Sequence, residues 1–182
     1  MHPCKIRRSV TNWTFSGHRL KSIFNGACNY EECNGYGKYH EDNLKDRYFD
    51  YVIFSPGSRL YQNNEFMSDV EYMMDFFKAA NPDAKFMCLG TNTAYGNDSI
   101  GVPQPDITGN YDTLREMGVL VADWGKVVSG IMDGTYTVPG ATQVYDAKSF
   151  LVTDGYHENM LTGYLTSLMA YCAITGETAV GQ

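Results

Sequence analysis

An aspartate and a histidine three residues apart stand directly before the last apolar segment, in the sequence Asp154-Gly155-Tyr156-His157. A histidine can take a proton from a hydroxyl nucleophile, and a carboxylate beside it can fix its tautomer and stabilise the imidazolium that forms. In a tight turn both side chains of such a motif can point the same way. The spacing predicts two members of a hydrolase triad, with His157 as general base and Asp154 as its orienting partner.

The same residues also suit a simpler role as a helix-capping turn. Aspartate is a good turn residue, and a D-x-x-H motif is short enough to arise by chance. Taken alone, the motif favours an exposed Asp154 and His157 that merely precede a helix. The elements around the motif therefore have to decide between the two interpretations.

Apolar runs separated by turn residues predict alternating strands and helices. Strands are expected at 49–54, 85–90 and 119–123, with a weaker one at 9–15, and helices at 18–24, 65–80, 110–117, 126–132 and 159–175. This alternation predicts a parallel sheet between helices, with a site at the carboxyl ends of the strands.

Two of these helices have a clear apolar face. Helix 65–80 is expected to bury one face against the core, through Phe66, Val70, Met73, Met74 and Phe77. Helix 159–175 is expected to bury a second set, and Gly176 to cap its carboxyl end. The residues of that second set are Leu161, Tyr164, Leu165, Leu168, Met169 and Cys172.

Length and composition indicate one globular domain over residues 1–182, in which 43% of the residues are apolar. Residues 25–47 are rich in Gly, Asn, Tyr and charge and predict a surface excursion. The net charge of -7 argues against nucleic acid or an anionic membrane as a partner. No apolar run reaches 18 residues, so no transmembrane helix is expected.

The cysteines do not form a disulfide framework, because the chain has five at irregular spacing. Cys88 and Cys172 lie in apolar segments and are expected to be buried. Cys28 and Cys33 form either one local disulfide or none. A zinc site there would need two further ligands and His40 is the only histidine nearby, so no metal is expected.

The stretch from Asp154 through Leu165 resembles the last block of the SGNH (GDSL-like) hydrolase family, and the tail from Gly163 to Gly176 is similar to a bacterial branch of it. The 50–55 strand looks like the central strand that leads into the family's third block. The resemblance implies a three-layer α/β/α sandwich of flavodoxin-like type with a parallel sheet. It also implies a serine esterase that acts on a carbohydrate or small-molecule ester and needs no cofactor.

The resemblance also suggests where oxyanion donors would lie. Gly17 matches a second-block glycine, although a simple strand-to-helix turn explains it equally well. Gly57 and Ser58 occupy the place of the third block but lack its Gly-x-Asn-Asp pattern. Gly96-Asn97-Asp98 follows the next strand and is interpreted as a turn.

The family's nucleophile motif has no counterpart, because no Gly-Asp-Ser or Gly-Asn-Ser precedes Gly17. Either the chain is an N-terminally truncated hydrolase that lacks the first strand, or the domain has lost its nucleophile; the abrupt start favours truncation. Ser55 and Ser58 follow a central strand but are better explained as turn residues. The chain is therefore expected to be a weak or inactive esterase.

A second hypothesis is a non-catalytic carbohydrate-binding or interaction module on the same scaffold. The chain has 14 tyrosines, and several of them fall in predicted loops, where they could stack on sugars. The N-terminus is positively charged but has no apolar core, so it is not a secretory signal. If a signal was lost with a missing N-terminus, the protein would be secreted or periplasmic; otherwise it would be cytoplasmic.

Overall fold

The computed structural model describes residues 44, 47–55, 66–90, 105–152 and 157–179, and they form a mixed α/β fold. The strands are β1 (Tyr51–Phe54), β2 (Lys85–Leu89) and β3 (Leu120–Ala122). The helices are α1 (Phe66–Ala80), α2 (Pro105–Glu116), α3 (Trp124–Met132), α4 (Ala147–Phe150) and α5 (Met160–Thr175). The predicted alternation of strands and helices is confirmed over this part of the chain.

The three strands form one parallel sheet in the order β1-β2-β3. Val52 pairs with Phe86 and Phe54 pairs with Cys88, so these side chains lie on one face of the sheet. Met87 lies on the opposite face, and it is also fully buried. A central strand that is buried on both faces explains the continuous apolar run in β2.

Helix α1 packs on the sheet face that carries Val52 and Phe86. Its buried apolar residues are the predicted ones: Phe66, Val70, Met73, Met74 and Phe77. Together with side chains of the sheet and of α2 they form the larger apolar cluster, here called the first core. Its buried members are Leu44, Val52, Phe54, Phe66, Val70, Met73, Met74, Phe77, Ala84, Phe86, Cys88, Tyr111, Leu114 and Val119.

A smaller apolar cluster, here called the second core, is formed by Trp124, Val128, Phe150 and Leu151. Leu165 and Met169 of α5 pack against it while remaining partly exposed. Helix α5 also contacts β3, α3 and α4. The last helix is thus attached to the β3 end of the sheet. The three-layer sandwich of SGNH type stays a prediction.

The predicted buried side of α5 is only partly correct, because Leu165 and Met169 pack against the second core but two other predicted residues are exposed. Its buried residues are Thr162 and Thr166, whereas Leu161 and Tyr164 are 44% and 55% exposed. Leu168 and Cys172 are partly buried. Apolar residues surround this helix, so their spacing does not select one face, and the threonine hydroxyls can be buried because each donates a hydrogen bond to a backbone carbonyl.

Other boundaries differ from the predicted ones for local reasons. Helix α2 begins at Pro105 and not at residue 110, because proline suits the first helical position, where its missing N–H costs nothing. Gly176 caps α5 as predicted, with φ of 73° and its N–H bonded to the Cys172 carbonyl. Leu44, within the 25–47 segment, is buried in the first core.

Candidate active site

The carboxyl ends of the parallel strands meet at one edge of the sheet, where ligands of open α/β sheets bind. Ser55, Gly90 and Asp123 directly follow β1, β2 and β3 at this edge. The Gly90 N–H donates to the Ala122 carbonyl at 2.9 Å, and the buried indole Nε1 of Trp124 donates to the Gly90 carbonyl at 2.9 Å. The ends of β2 and β3 are therefore locked together, and Ser55 is exposed beside them.

Glycine is required at position 90 because atoms of Ala122, Tyr111 and Asp123 lie close to the place that a Cβ would occupy. A Cβ there would lie 2.9 Å from the Ala122 carbonyl oxygen and 3.1 Å from the Tyr111 hydroxyl. The nearest of these atoms belongs to the backbone and cannot rotate away. The edge is thus closely packed immediately before the segment that follows β2.

Asp123 is the buried ionisable group at this edge. Its side chain caps α3 by accepting a hydrogen bond from the Lys126 N–H at 3.1 Å, and Arg115 lies 3.8 Å away. Burial raises the pKa of Asp123, which the Lys126 hydrogen bond and the Arg115 charge only partly offset. Sequence reasoning missed this residue, although an aspartate between a strand and an apolar helix is a recognisable N-cap signal.

Contacts of the second core connect this edge with the segment that carries His157. Trp124 belongs to the same cluster as Phe150 and Leu151. Leu151 forms an antiparallel bridge with Glu158. Around that bridge the Val152 N–H donates to the His157 carbonyl at 2.9 Å, and the Asn159 N–H donates to the Phe150 carbonyl at 3.1 Å. The backbone of the predicted general base is therefore fixed on the second core.

His157 itself is exposed and lies two residues before Asn159, the N-cap of α5. Next to it, desolvation raises the pKa of Glu158. The other predicted site residues, Asp154, Gly17, Gly57 and Ser58, lie outside the described residues. The structure thus defines the surroundings of His157, while its pairing with Asp154 stays a prediction.

Within the described residues, no group of three or more His, Cys, Asp or Glu side chains is placed to hold a metal ion. Cys28, Cys33 and His40 lie outside those residues. None of the helices in the described ranges combines the length and apolar character needed to cross a membrane.

Comparisons of the chain with protein-family models, with curated proteins and with solved structures find no match.

Proposed function

We propose that this chain carries the acid–base pair of a serine esterase of the SGNH hydrolase type, with His157 as general base and Asp154 as the carboxylate that orients it. The observation that carries the proposal is the placement of His157. Its side chain is exposed, while its backbone is held by the Leu151–Glu158 bridge at the start of α5. A general base needs an imidazole that the substrate can reach and a backbone that holds it in position.

In the proposed reaction the His157 imidazole takes the proton of a hydroxyl nucleophile as that oxygen attacks the ester carbonyl, whose π electrons pass to its oxygen as an oxyanion. Asp154 stabilises the imidazolium that forms. Collapse of the oxyanion breaks the ester C–O bond, and the departing alcohol takes the proton from the imidazolium. Backbone N–H groups at Gly17, Gly57 and Ser58 are the candidate donors to the oxyanion. The substrate class is an acyl ester of a carbohydrate or another small molecule. The proposed scaffold is the three-layer flavodoxin-like sandwich, and the parallel sheet and the attachment of α5 near β3 support it.

The proposal includes low activity for the chain as it stands. No Gly-Asp-Ser or Gly-Asn-Ser precedes Gly17, so no activated hydroxyl is assigned to His157. Loss of one triad member removes several orders of magnitude in rate and leaves only residual catalysis.

A short-chain aryl ester assay on the full chain tests the proposal. Wild type is expected to hydrolyse p-nitrophenyl acetate slowly but above His157→Ala. His40→Ala is the matched control, because any free imidazole attacks aryl esters weakly, and it is expected to match wild type. Equal rates of p-nitrophenyl acetate hydrolysis by wild type and His157→Ala would contradict the esterase proposal.

A carbohydrate-binding role without catalysis is the second candidate, and the exposed tyrosines favour it. Tyr164, on the second turn of α5, is 55% exposed, and Tyr48 is 66% exposed. Exposed aromatic rings can stack on sugars. Oligosaccharide binding that Tyr164→Ala abolishes, while His157→Ala leaves it intact, would favour this role over the esterase.

A further inference from the structure

Asn159 ties together three parts of the backbone around His157. Its Oδ1 accepts hydrogen bonds from the Leu161 and Thr162 N–H groups at 2.9 and 3.1 Å, which caps α5. Its Nδ2 donates to the Ser149 carbonyl at 2.8 Å, at the end of α4. Its own N–H donates to the Phe150 carbonyl at 3.1 Å. One side chain therefore joins the start of α5 to the residues that precede the bridge.

Thr162 reinforces the same junction from one turn further along α5. This residue is fully buried, and its hydroxyl donates to the Phe150 carbonyl at 2.5 Å. The Phe150 carbonyl thus accepts from both Asn159 and Thr162. The His157 backbone is therefore restrained by its own carbonyl, which accepts from the Val152 N–H, and by this junction two residues later.

The side chain at position 159 has two roles, capping α5 and donating to the Ser149 carbonyl, and the choice of residue distinguishes them. Serine, aspartate and asparagine all serve as N-caps, because each offers an oxygen to the first N–H groups of a helix. Only asparagine offers in addition the amide N–H₂ that reaches the Ser149 carbonyl. Asparagine at this position therefore makes a contact with the Ser149 carbonyl that capping itself does not require.

We propose that Asn159 is a positioning residue for His157, whose carboxamide holds the histidine-bearing segment against the Ser149 carbonyl. The proposal rests on the proposed function for the role of His157, but the rigidity it predicts can be measured without turnover. Removing the amide donor while keeping the cap loosens the His157 backbone, which then keeps only its backbone bonds, and leaves α5 formed.

The test compares Asn159→Ser with Asn81→Ser in the full chain. Asn81 is a matched control because its Nδ2 also donates to a distant carbonyl, that of Phe49 at 2.9 Å, and its Oδ1 accepts from a nearby N–H. The wild-type His157 amide is expected to have an NMR order parameter near 0.85, which falls in Asn159→Ser towards the value of about 0.6 that marks a flexible backbone, and stays unchanged in Asn81→Ser.

A second readout reports on the imidazole itself. This readout is the NMR chemical shift of the His157 ring protons, recorded at about pH 9, where an ordinary imidazole is neutral. In Asn159→Ser this chemical shift is expected to move towards the value of an unstructured peptide. In Asn81→Ser it is expected to stay in place. If aryl ester turnover is measurable, kcat falls about tenfold in Asn159→Ser while KM changes by less than about twofold.

An unchanged His157 order parameter and ring signal in a folded Asn159→Ser would overturn the proposal. If that variant does not fold, Asn159→Asp carries the same test, because aspartate keeps the capping oxygen and lacks the amide donor to the Ser149 carbonyl. Absent turnover in wild type would count against the esterase alone, since the order parameters do not depend on it.

Discussion

The first and second cores are held together by different means. The first core is a large apolar cluster in which α1 contributes a continuous buried stripe to the sheet. The second core is small, and around it the indole of Trp124, the amide of Asn159 and the hydroxyl of Thr162 each donate to a backbone carbonyl. Apolar burial is non-directional, whereas hydrogen bonds fix orientation. The first core therefore supplies stability, and the second fixes the segment that carries His157.

Truncating a methionine of the first core and an exposed methionine at the start of α5 gives the largest expected contrast. Met73→Ala in the first core, where the side chain is 1% exposed, is expected to lower the free energy of unfolding by about 2–5 kcal/mol. Met160→Ala on α5, where the side chain is 93% exposed, is expected to change it by less than about 0.5 kcal/mol. Urea unfolding measures both, and similar losses would contradict the contrast.

Exchanging valine and threonine between the regions tests the role of the hydroxyl. Thr162→Val is expected to cost about 1–2 kcal/mol, because the buried bond to the Phe150 carbonyl is lost. Val70→Thr is expected to cost about 1–3 kcal/mol, because it brings a hydroxyl into a fully buried apolar site. Thermal unfolding of both variants checks this, and a neutral result for Thr162→Val would show that shape alone holds α5 in place.

Replacing glycine by alanine is expected to have smaller effects on the free energy of unfolding, with opposite signs at positions 163 and 90. Gly163→Ala is expected to stabilise α5 by about 0.5–1 kcal/mol, because no atom lies within 4 Å of the added Cβ and alanine favours the helix. Gly90→Ala is expected to destabilise the protein, because its Cβ would meet the Ala122 carbonyl. Chemical denaturation of the pair measures both signs; stabilisation by Gly90→Ala would mean that the strand ends are loosely packed.

The smallest expected effect concerns Asp123 and Asp133, which cap the two ends of α3. Their contributions to the free energy of unfolding are expected to change with pH in opposite directions. Burial raises the folded-state pKa of Asp123 above 3.8, so the folded state holds this proton more tightly than the unfolded chain. Its contribution to stability is therefore present below pH 3.8 and is lost as the pH rises through the folded value. The free energy of unfolding of wild type minus that of Asp123→Asn should fall as the pH rises from 3.8 through the folded-state pKa of Asp123.

Asp133, the C-cap of α3, gives the matched control. Hydrogen bonding by Thr135 lowers its pKa below 3.8 in the folded state. Its contribution is present above pH 3.8 and is lost as the pH falls through the folded value. The corresponding difference for Asp133→Asn should rise with pH, and a common sign for the two variants would contradict the assignment of burial as the cause at Asp123.

The contrast between the cores also explains what sequence patterns could predict. The three strands and α1 follow from apolar runs and a helical stripe, because the residues buried there are mostly apolar, with Asp69 the polar exception in α1. The short α4 and the first turn of α2 have no such stripe, so they were missed or shortened. The buried threonines of α5 were missed because their partners are backbone carbonyls, which leave no pattern in the sequence.

For the site, the D-x-x-H motif points to the segment before α5 because the motif and the apolar helix that follows it are local features of the sequence; the catalytic role of the motif stays a prediction. The capping role of Asp123 could have been predicted from its position between a strand and an apolar helix. Its approach to Arg115 and the bond from Asn159 to the Ser149 carbonyl depend on the fold, and sequence spacing does not reveal them.

The indole of Trp124 gives this protein an intrinsic optical reporter. It is one of two tryptophans, and its N–H lies buried against the Gly90 carbonyl, where β2 and β3 end. Replacing Trp13 by phenylalanine would leave a single emitter at that position. Its emission wavelength would then follow the entry of water between the strand ends without any added label.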